Sequence, residues 1–344
     1  MTEKRSYPYS TSGTAMHRFY ILFFIAIPAL FSLSLLHGSV DIPWTEVAGI
    51  LLGKPCNNAS WVYIVLQTRL PQALTAMLAG AALSVSGLLL QTTFRNPLAA
   101  PDIFGVTSGA SLAMALLTLA PAALAGEAVG GLPAVTAAFL GAIAVTAVIW
   151  MASRMVRSSV MLIIIGIMVG YVASSAITLL NFFATEQGVK TFSVWGMGSF
   201  SNVTMEQMPL FASITTLTTI ATLLLAKPLN AMLLGETYAE NLGINTRLTR
   251  DLLLIITGLL TAVVTAYCGP IAFIALAVPH LARLTLHTSD HHELLPATML
   301  WGCSVALLCN VLTCLPGQAG ILPLNAITPL IGAPIIVYVI LRTN

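Results

Sequence analysis

Charge is what this chain most conspicuously lacks. Of its 344 residues only 14 are Lys or Arg and 12 are Asp or Glu, 8% in all. Soluble domains carry about 25%, so this composition cannot dress a water-exposed surface. Paired cysteines are missing too. Cys56, Cys268, Cys303, Cys309 and Cys314 form no CxxC motif and leave an odd count. Three of them share one apolar run, which reads as small buried hydrophobes rather than a disulfide or metal frame. Short segments of alternating polarity are absent, which excludes a transmembrane β-barrel.

What the chain has instead is one apolar run after another, at about 19–36, 70–92, 103–124, 131–152, 160–183, 207–226, 251–268, 271–284, 294–314 and 323–341. Most approach the ~20 residues that cross a bilayer core, so the sequence reads as an all-α polytopic membrane protein of about ten transmembrane helices. Residues 1–18 form a tail and 19–344 a single transmembrane domain. The first run, Phe19 to Leu36, is long for a signal peptide and has no cleavage signature before His37 and Gly38, so it reads as a retained helix. Two charge-free stretches are too long for one crossing. Cys268-Gly269-Pro270 breaks the first, making its second half short, and Leu315-Pro316-Gly317-Gln318-Ala319-Gly320 breaks the second.

Ten crossings put both termini on one side. Lys4, Arg5, Arg18, Arg95, Arg154, Arg157, Lys227, Arg247, Arg250, Arg283 and Arg342 then share that side, against Lys54, Arg69 and Lys190 on the other. By the positive-inside rule the crowded side is cytoplasmic. Small residues at helical spacing, Gly80, Ser84 and Gly87 in one helix and Gly166, Gly170 and Ser174 in another, mark close helix packing, with a pathway wall as the alternative.

Between the second and third runs lies Gln91-Thr-Thr-Phe-Arg95-Asn96-Pro97-Leu-Ala-Ala-Pro101-Asp102-Ile-Phe-Gly105, denser in breakers and polar groups than a plain turn requires. Together with Arg69-Leu-Pro-Gln72, Gly80-Ala-Ala-Leu-Ser84-Val-Ser-Gly87, Gly235-Glu236-Thr-Tyr-Ala239-Glu-Asn-Leu242-Gly243-Ile244 and Gly269-Pro-Ile-Ala-Phe273-Ile through Pro279-His280-Leu-Ala-Arg283, it resembles the FecCD family over about residues 60–341. These are membrane permeases of binding-protein-dependent ABC importers for iron chelates, haem and cobalamin.

The resemblance implies a transport subunit with no catalytic residues, no metal site and no cofactor of its own. ATP and Mg²⁺ would sit on two separate ATP-binding cassette subunits. It further implies a homodimer in membrane lipid, a periplasmic substrate-binding protein docking near Arg69, and no nucleic-acid partner. Gln91, Arg95, Asn96, Pro97, Pro101, Gly105, Pro279, His280 and Arg283 are the family-motif positions with structural roles. The loop 227–250 has its own reading: two short helical stretches around Gly235 and Gly243, with Leu233, Leu234, Leu242 and Ile244 too apolar for a solvated connector. The resemblance makes Gly235, Glu236, Ala239, Leu242, Gly243 and Ile244 its ATPase-coupling residues.

Three other features carry less. Gly49-Ile-Leu-Leu-Gly53-Lys54-Pro55 has the wrong glycine spacing for a phosphate-binding loop and Pro where Ser or Thr would hold Mg²⁺. His287 and His291 stand a helical turn apart, but the intervening Thr288-Ser289-Asp290 reads as a turn, which weakens a metal reading. An ion-coupled secondary transporter would want a carboxylate within the apolar runs, and their middles contain none. Departures from the family pattern are specific. Gln72 replaces a second arginine, Asn310 and Cys314 replace an Asp and an Arg, and Ile321 stands where an acidic residue precedes Leu-Pro. Arg69 alone of the outer charged set remains, which implies that docking rests less on ion pairs.

Overall fold

A bilayer offers the backbone no hydrogen-bond partner, so an apolar chain crosses it as helix, and each apolar run of this chain forms one. The computed structural model describes residues 13–120, 131–156, 158–315 and 320–343. Most of the N-terminal tail, with Lys4 and Arg5, the end of the run 103–124, Arg157 and the 316–319 part of the second break lie outside the described residues.

The elements in order are α1 Gly13–Leu36, α2 Trp44–Leu51, α3 Ala59–Tyr63, α4 Leu70–Phe94, α5 Val106–Leu119, α6 Leu132–Met155, α7 Ser159–Phe183, α8 Glu186–Gly196, α9 Met208–Ala221, α10 Ala226–Leu233, α11 Glu236–Asn241, α12 Thr246–Cys268, α13 Ile274–Leu286, α14 His291–Thr313 and α15 Leu324–Thr343. A π-helical turn, Ile64–Arg69, joins α3 to α4. Among the described residues seven helical stretches are long and apolar enough to span a membrane, and three apolar helices, within α5, α13 and α15, are shorter. The shortness of α13 follows from the Gly269-Pro270 break.

The helix ends sort into two sets. At one end Arg154 of α6 meets Asp251 of α12 at 3.0 Å, Arg283 of α13 meets Gln91 of α4, and Thr92 of α4 meets His291 of α14. At the other, Arg69 reaches the last carbonyls of α1, Gln72 of α4 reaches Asn310 of α14, and Asn325 of α15 reaches Gly196 of α8 and Pro270. This is the alternation that an up-and-down chain requires. The first set is called the basic end below and the second the far end.

α4 lies in the middle, packed against α14, α12, α13, α9 and α1. It is apolar all round, as a helix buried on every side must be. Without side chains in the way, its backbone comes close to its neighbours. A Cβ on Gly80 would lie 2.2 Å from the Gly302 carbonyl oxygen, and one on Gly87 only 1.7 Å from that of Ala275. Pro279 in α13 has no N–H to donate one turn back, which frees the Ala275 carbonyl that Gly87 approaches.

The far-end helices α2, α3 and α8 were not expected from hydropathy, yet the caps of α3 and α8 are written locally. The Asn58 side chain accepts from the amides of Ser60 and Trp61 to start α3. The Thr185 hydroxyl accepts from the Gly188 amide to start α8, with Glu186 in the first turn.

The close crossings give a direct test. Gly87→Ala should cost at least about 1–3 kcal/mol through overpacking, read as a lower thermal midpoint in detergent. Gly196→Ala, with nothing within 4 Å of its Cβ position, should change that midpoint little.

Candidate functional site at the basic end

The last turn of α4 and the loop after it organise the basic end. Arg95 closes α4 in the left-handed conformation at φ 46°, and the Asn96 amide reaches back to the Gln91 carbonyl at 3.2 Å. This is a Schellman-type ending with arginine where glycine is usual. Pro97 then forbids helix, and the Asn96 side chain accepts from the Leu98 amide at 2.9 Å. The loop runs through buried Pro101 to Gly105, whose φ of 74° starts α5.

Gln91 binds α13 with both ends of its amide. Its Nε2 donates to the Leu276 carbonyl at 3.2 Å and its Oε1 accepts from Arg283 Nη1 at 2.6 Å. His280, directly after Pro279, donates from Nε2 to the Pro97 carbonyl at 2.8 Å. Gln91, Pro97, Pro279, His280 and Arg283 therefore form one clasp between α4 and α13.

Arg95 turns the other way, donating from Nη2 to the Met232 carbonyl at the end of α10 (2.9 Å). Gly235 follows at φ 124° and sits against the same guanidinium. Beyond it, Glu236 pairs with Arg250 and the Thr246 hydroxyl donates to Glu240 at 2.8 Å, folding α11 back on the start of α12. Ala239 is buried beneath this pair of helices, and Gly243 turns the chain at φ 82°. Leu234, Tyr238 and Leu242 project from the pair, 66%, 51% and 58% exposed, and Ile244 is half-buried. An open groove runs between the end of α4 and α11, lined by Thr93, Arg95, Gly235, Glu236, Tyr238 and Asn241.

A second link joins α10 to the core. Asn230 donates to Asp290 at 2.6 Å and accepts from the His291 amide and Nδ1, both at 2.8 Å, while His291 Nε2 meets the Thr92 hydroxyl at 2.8 Å. Asp290 also caps α14 by accepting from the His292 amide. Partial burial pushes the Asp290 carboxyl up, but the hydrogen bonds from Asn230 and His292 and the nearby histidines outweigh it and hold it below the usual range. His291 is buried with both ring nitrogens engaged and His287 is exposed, so the two histidines do not converge. Asn230 and Thr92 were not among the residues expected from the sequence: Asn230 lies outside the motifs, and Thr92, inside the Gln91–Gly105 stretch, carried no role of its own.

The far end departs from expectation. Arg69 is 4% exposed. Its guanidinium donates to the carbonyls of Leu35 and Leu36, at 2.9 Å each, and of Val40. Gly38 leaves room for it, since a Cβ there would lie 2.8 Å from Nη2. A guanidinium spent in this way caps the end of α1 and is not exposed as an ion-pair partner. Gln72 and Asn310 are likewise interior: Gln72 Nε2 donates to Asn310 Oδ1 at 2.8 Å and Asn310 Nδ2 to the Ser34 hydroxyl at 2.7 Å. Only Ile321 of the four departures is exposed; Cys314 is half-buried.

The small-residue faces separate. Ser84 and Gly87 are buried in helix contacts, Ser84 Oγ donating to the Thr298 carbonyl of α14 at 3.0 Å. Gly166 packs on the backbone at Phe104, Gly170 faces Ser108, and Ser174 is exposed on α7. α7 touches chiefly α5 and leaves most of its surface uncovered.

Two outcomes test these contacts. Gln91→Leu should destabilise the protein by about 1.5–3 kcal/mol, because Arg283 loses a charge-assisted bond; Gln91→Glu, keeping an acceptor, should lose less in the same denaturation measurement. Asp290→Ala should cost about 1 kcal/mol as a lost cap. A depressed carboxyl stabilises fully above its unfolded pKa of about 3.9 and loses that contribution as pH falls through the lower folded value. The penalty of Asp290→Ala, measured by thermal midpoint, should therefore be constant at neutral pH and shrink only in strong acid.

Residues 24–342 match the FecCD transport family. The vitamin B12 import system permease protein BtuC of Klebsiella pneumoniae is 35% identical over 288 residues, 83% of this chain and 85% of that one. The hemin transport system permease protein HmuU of Yersinia pestis is 34% identical over 293 residues, again 83% and 85%. A solved structure described as an inward-facing conformation of a metal-chelate type ABC transporter superposes with a TM-score of 0.79 at 29% identity, covering 96% of this chain and 100% of that one.

Proposed function

The chain belongs to the FecCD transport family, and from that premise we propose that it is the permease subunit of an ABC importer in the bacterial inner membrane. Its cargo would be a bulky metal-containing compound: cobalamin, haem or a ferric siderophore. Relatives named for vitamin B12 and hemin support that class without choosing within it. In this reading two copies form the pathway along a two-fold axis, and two separate ATPase subunits, carrying ATP and Mg²⁺, drive them. This chain supplies path and coupling and breaks no bond.

One observation carries the proposal. The α10–α11 pair presents Leu234, Tyr238 and Leu242 outward at the basic end while Arg95 fastens it to α4. An apolar surface on a short, well-anchored lever suits a protein partner. The abundance of Lys and Arg at this end supports its being cytoplasmic, with both termini on that side. The exposed face of α7 around Ser174 is the surface offered to the second copy and the pathway. A periplasmic binding protein would meet the far end, where α2, α8 and their loops expose Trp44, Lys54 and Lys190. An ion-coupled carrier is disfavoured by the absence of carboxylates from the helix middles.

Leu234→Asp combined with Leu242→Asp should abolish co-purification of the ATPase subunit without lowering the thermal midpoint of the isolated permease. Retained co-purification would sink the coupling assignment. Orientation has a native reporter: Cys56 is a free, half-buried thiol in the far-end loop. A membrane-impermeant maleimide should label it from outside in spheroplasts, with Cys56→Ser removing that label; labelling only after permeabilisation would invert the topology.

A further inference from the structure

We propose that His291 is a positioning residue of the transport cycle, joining the ATPase-facing α10–α11 pair to the last turn of α4 so that the two move as one body. The inference rests on the permease reading above and names the joint through which that reading would have to act.

The hydrogen bonds fix its construction. The His291 backbone N–H can only donate, so the Asn230 atom it meets is the carbonyl oxygen, and the Asn230 amide nitrogen faces Asp290. That same oxygen meets Nδ1, so Nδ1 carries the ring proton. Nε2 is left with a lone pair and accepts from the Thr92 hydroxyl. The chain Thr92→His291→Asn230→Asp290 thus runs in one direction with each donor and acceptor matched. It crosses three elements: α4, the start of α14, and α10.

Around it the contact is apolar. Leu229 and Met232 of α10 pack with Leu88 and Leu89 of α4 and Leu294 and Leu295 of α14. Such a surface holds the elements together but lets them slide, because dispersion contacts have little directional preference. A chain of directed hydrogen bonds anchored on the buried Thr92–His291 link does not slide, since breaking that link leaves an unsatisfied polar group in the interior. Arg95, three residues after Thr92, makes the second attachment to α10 at Met232. Two fastenings from one helical turn stop α10 from pivoting, whereas either alone would be a hinge. A push on α11 then reaches α4, and through Gln91 and Arg283 it reaches α13.

The test uses the complete transporter, permease with its co-purified ATPase and binding protein, in proteoliposomes, with cyanocobalamin, haemin and ferric siderophores of the hydroxamate and catecholate types as uptake probes and ATP hydrolysis measured in parallel. His291→Leu should leave ATPase co-purification and at least about half of the hydrolysis intact while uptake per ATP falls at least about fivefold. His291→Gln, which can donate and accept over a similar span, should recover much of that ratio. Thr92→Val, nearly isosteric, should lower it by at least about twofold and decides the matter if His291→Leu does not fold. An unchanged ratio in Thr92→Val and in whichever histidine variants fold overturns the joint. So does a parallel loss of assembly, hydrolysis and uptake in Thr92→Val, which would mark a merely structural contact. If the wild-type complex takes up none of these probes or retains no ATPase, the permease reading fails and the joint falls with it. That result comes from wild type alone, so it is distinguishable from failure of the joint.

Discussion

A helix buried on every side, inside a structure that offers no water, must send each polar group it carries to a protein partner. α4 is that helix; of its buried side chains only the Thr75 hydroxyl goes without a partner, and the rest of the architecture follows from meeting the others' demands. In its middle it carries glycine, alanine and serine, and so α13 and α14 can approach to backbone distance at Gly87 and Gly80. At its ends it carries Arg69, Gln72, Gln91, Thr92 and Arg95, and between them they reach α1, α14, α13 and α10. The far end caps α1 and ties α14; the basic end clasps α13, α14 and α10.

That distribution explains why the polar stretch after α4 is so dense. A turn alone needs a left-handed residue and a proline. This turn also presents two carbonyls' worth of anchoring to α13, a guanidinium to α10 and a hydroxyl to His291. The same logic accounts for the paired departures at the far end. Gln72 and Asn310 touch, so an Arg–Asp pair at these positions could be neutralised only on both sides together; changing one alone would strand a buried charge. The substitutions therefore concern how α1, α4 and α14 are held, not the chemistry of an outer surface.

Much of this was legible in the sequence. The apolar runs placed the long helices, and the Gly269-Pro270 break shortened α13 as expected. The loop 227–250 was read as two short helical stretches around Gly235 and Gly243; α10 and α11 flank Gly235, and Gly243 follows α11. The misses share a cause. α2, α3 and α8 lie in polar loops where hydropathy is silent, although Asn58 and Thr185 were visible as caps. Arg69 was given its docking role by the resemblance alone, and its local sequence does not show that it is buried. Only the return of α1 beside α4, with Gly38 opening space, draws it inward.

The sequence by itself determined that the chain lives in a bilayer, where it crosses and which family it belongs to. Those properties depend on local hydrophobicity and short motifs, which neighbouring residues carry whatever the chain does elsewhere. Tertiary structure decided which polar residues are surface and which are joints. Thr92, Asn230 and His291 lie far apart in sequence, and no local rule links them. The link between Thr92 and His291 comes from burial, because there an unmatched donor or acceptor costs enough to dictate its partner, and Asn230 joins it only because packing sets α10 beside α14.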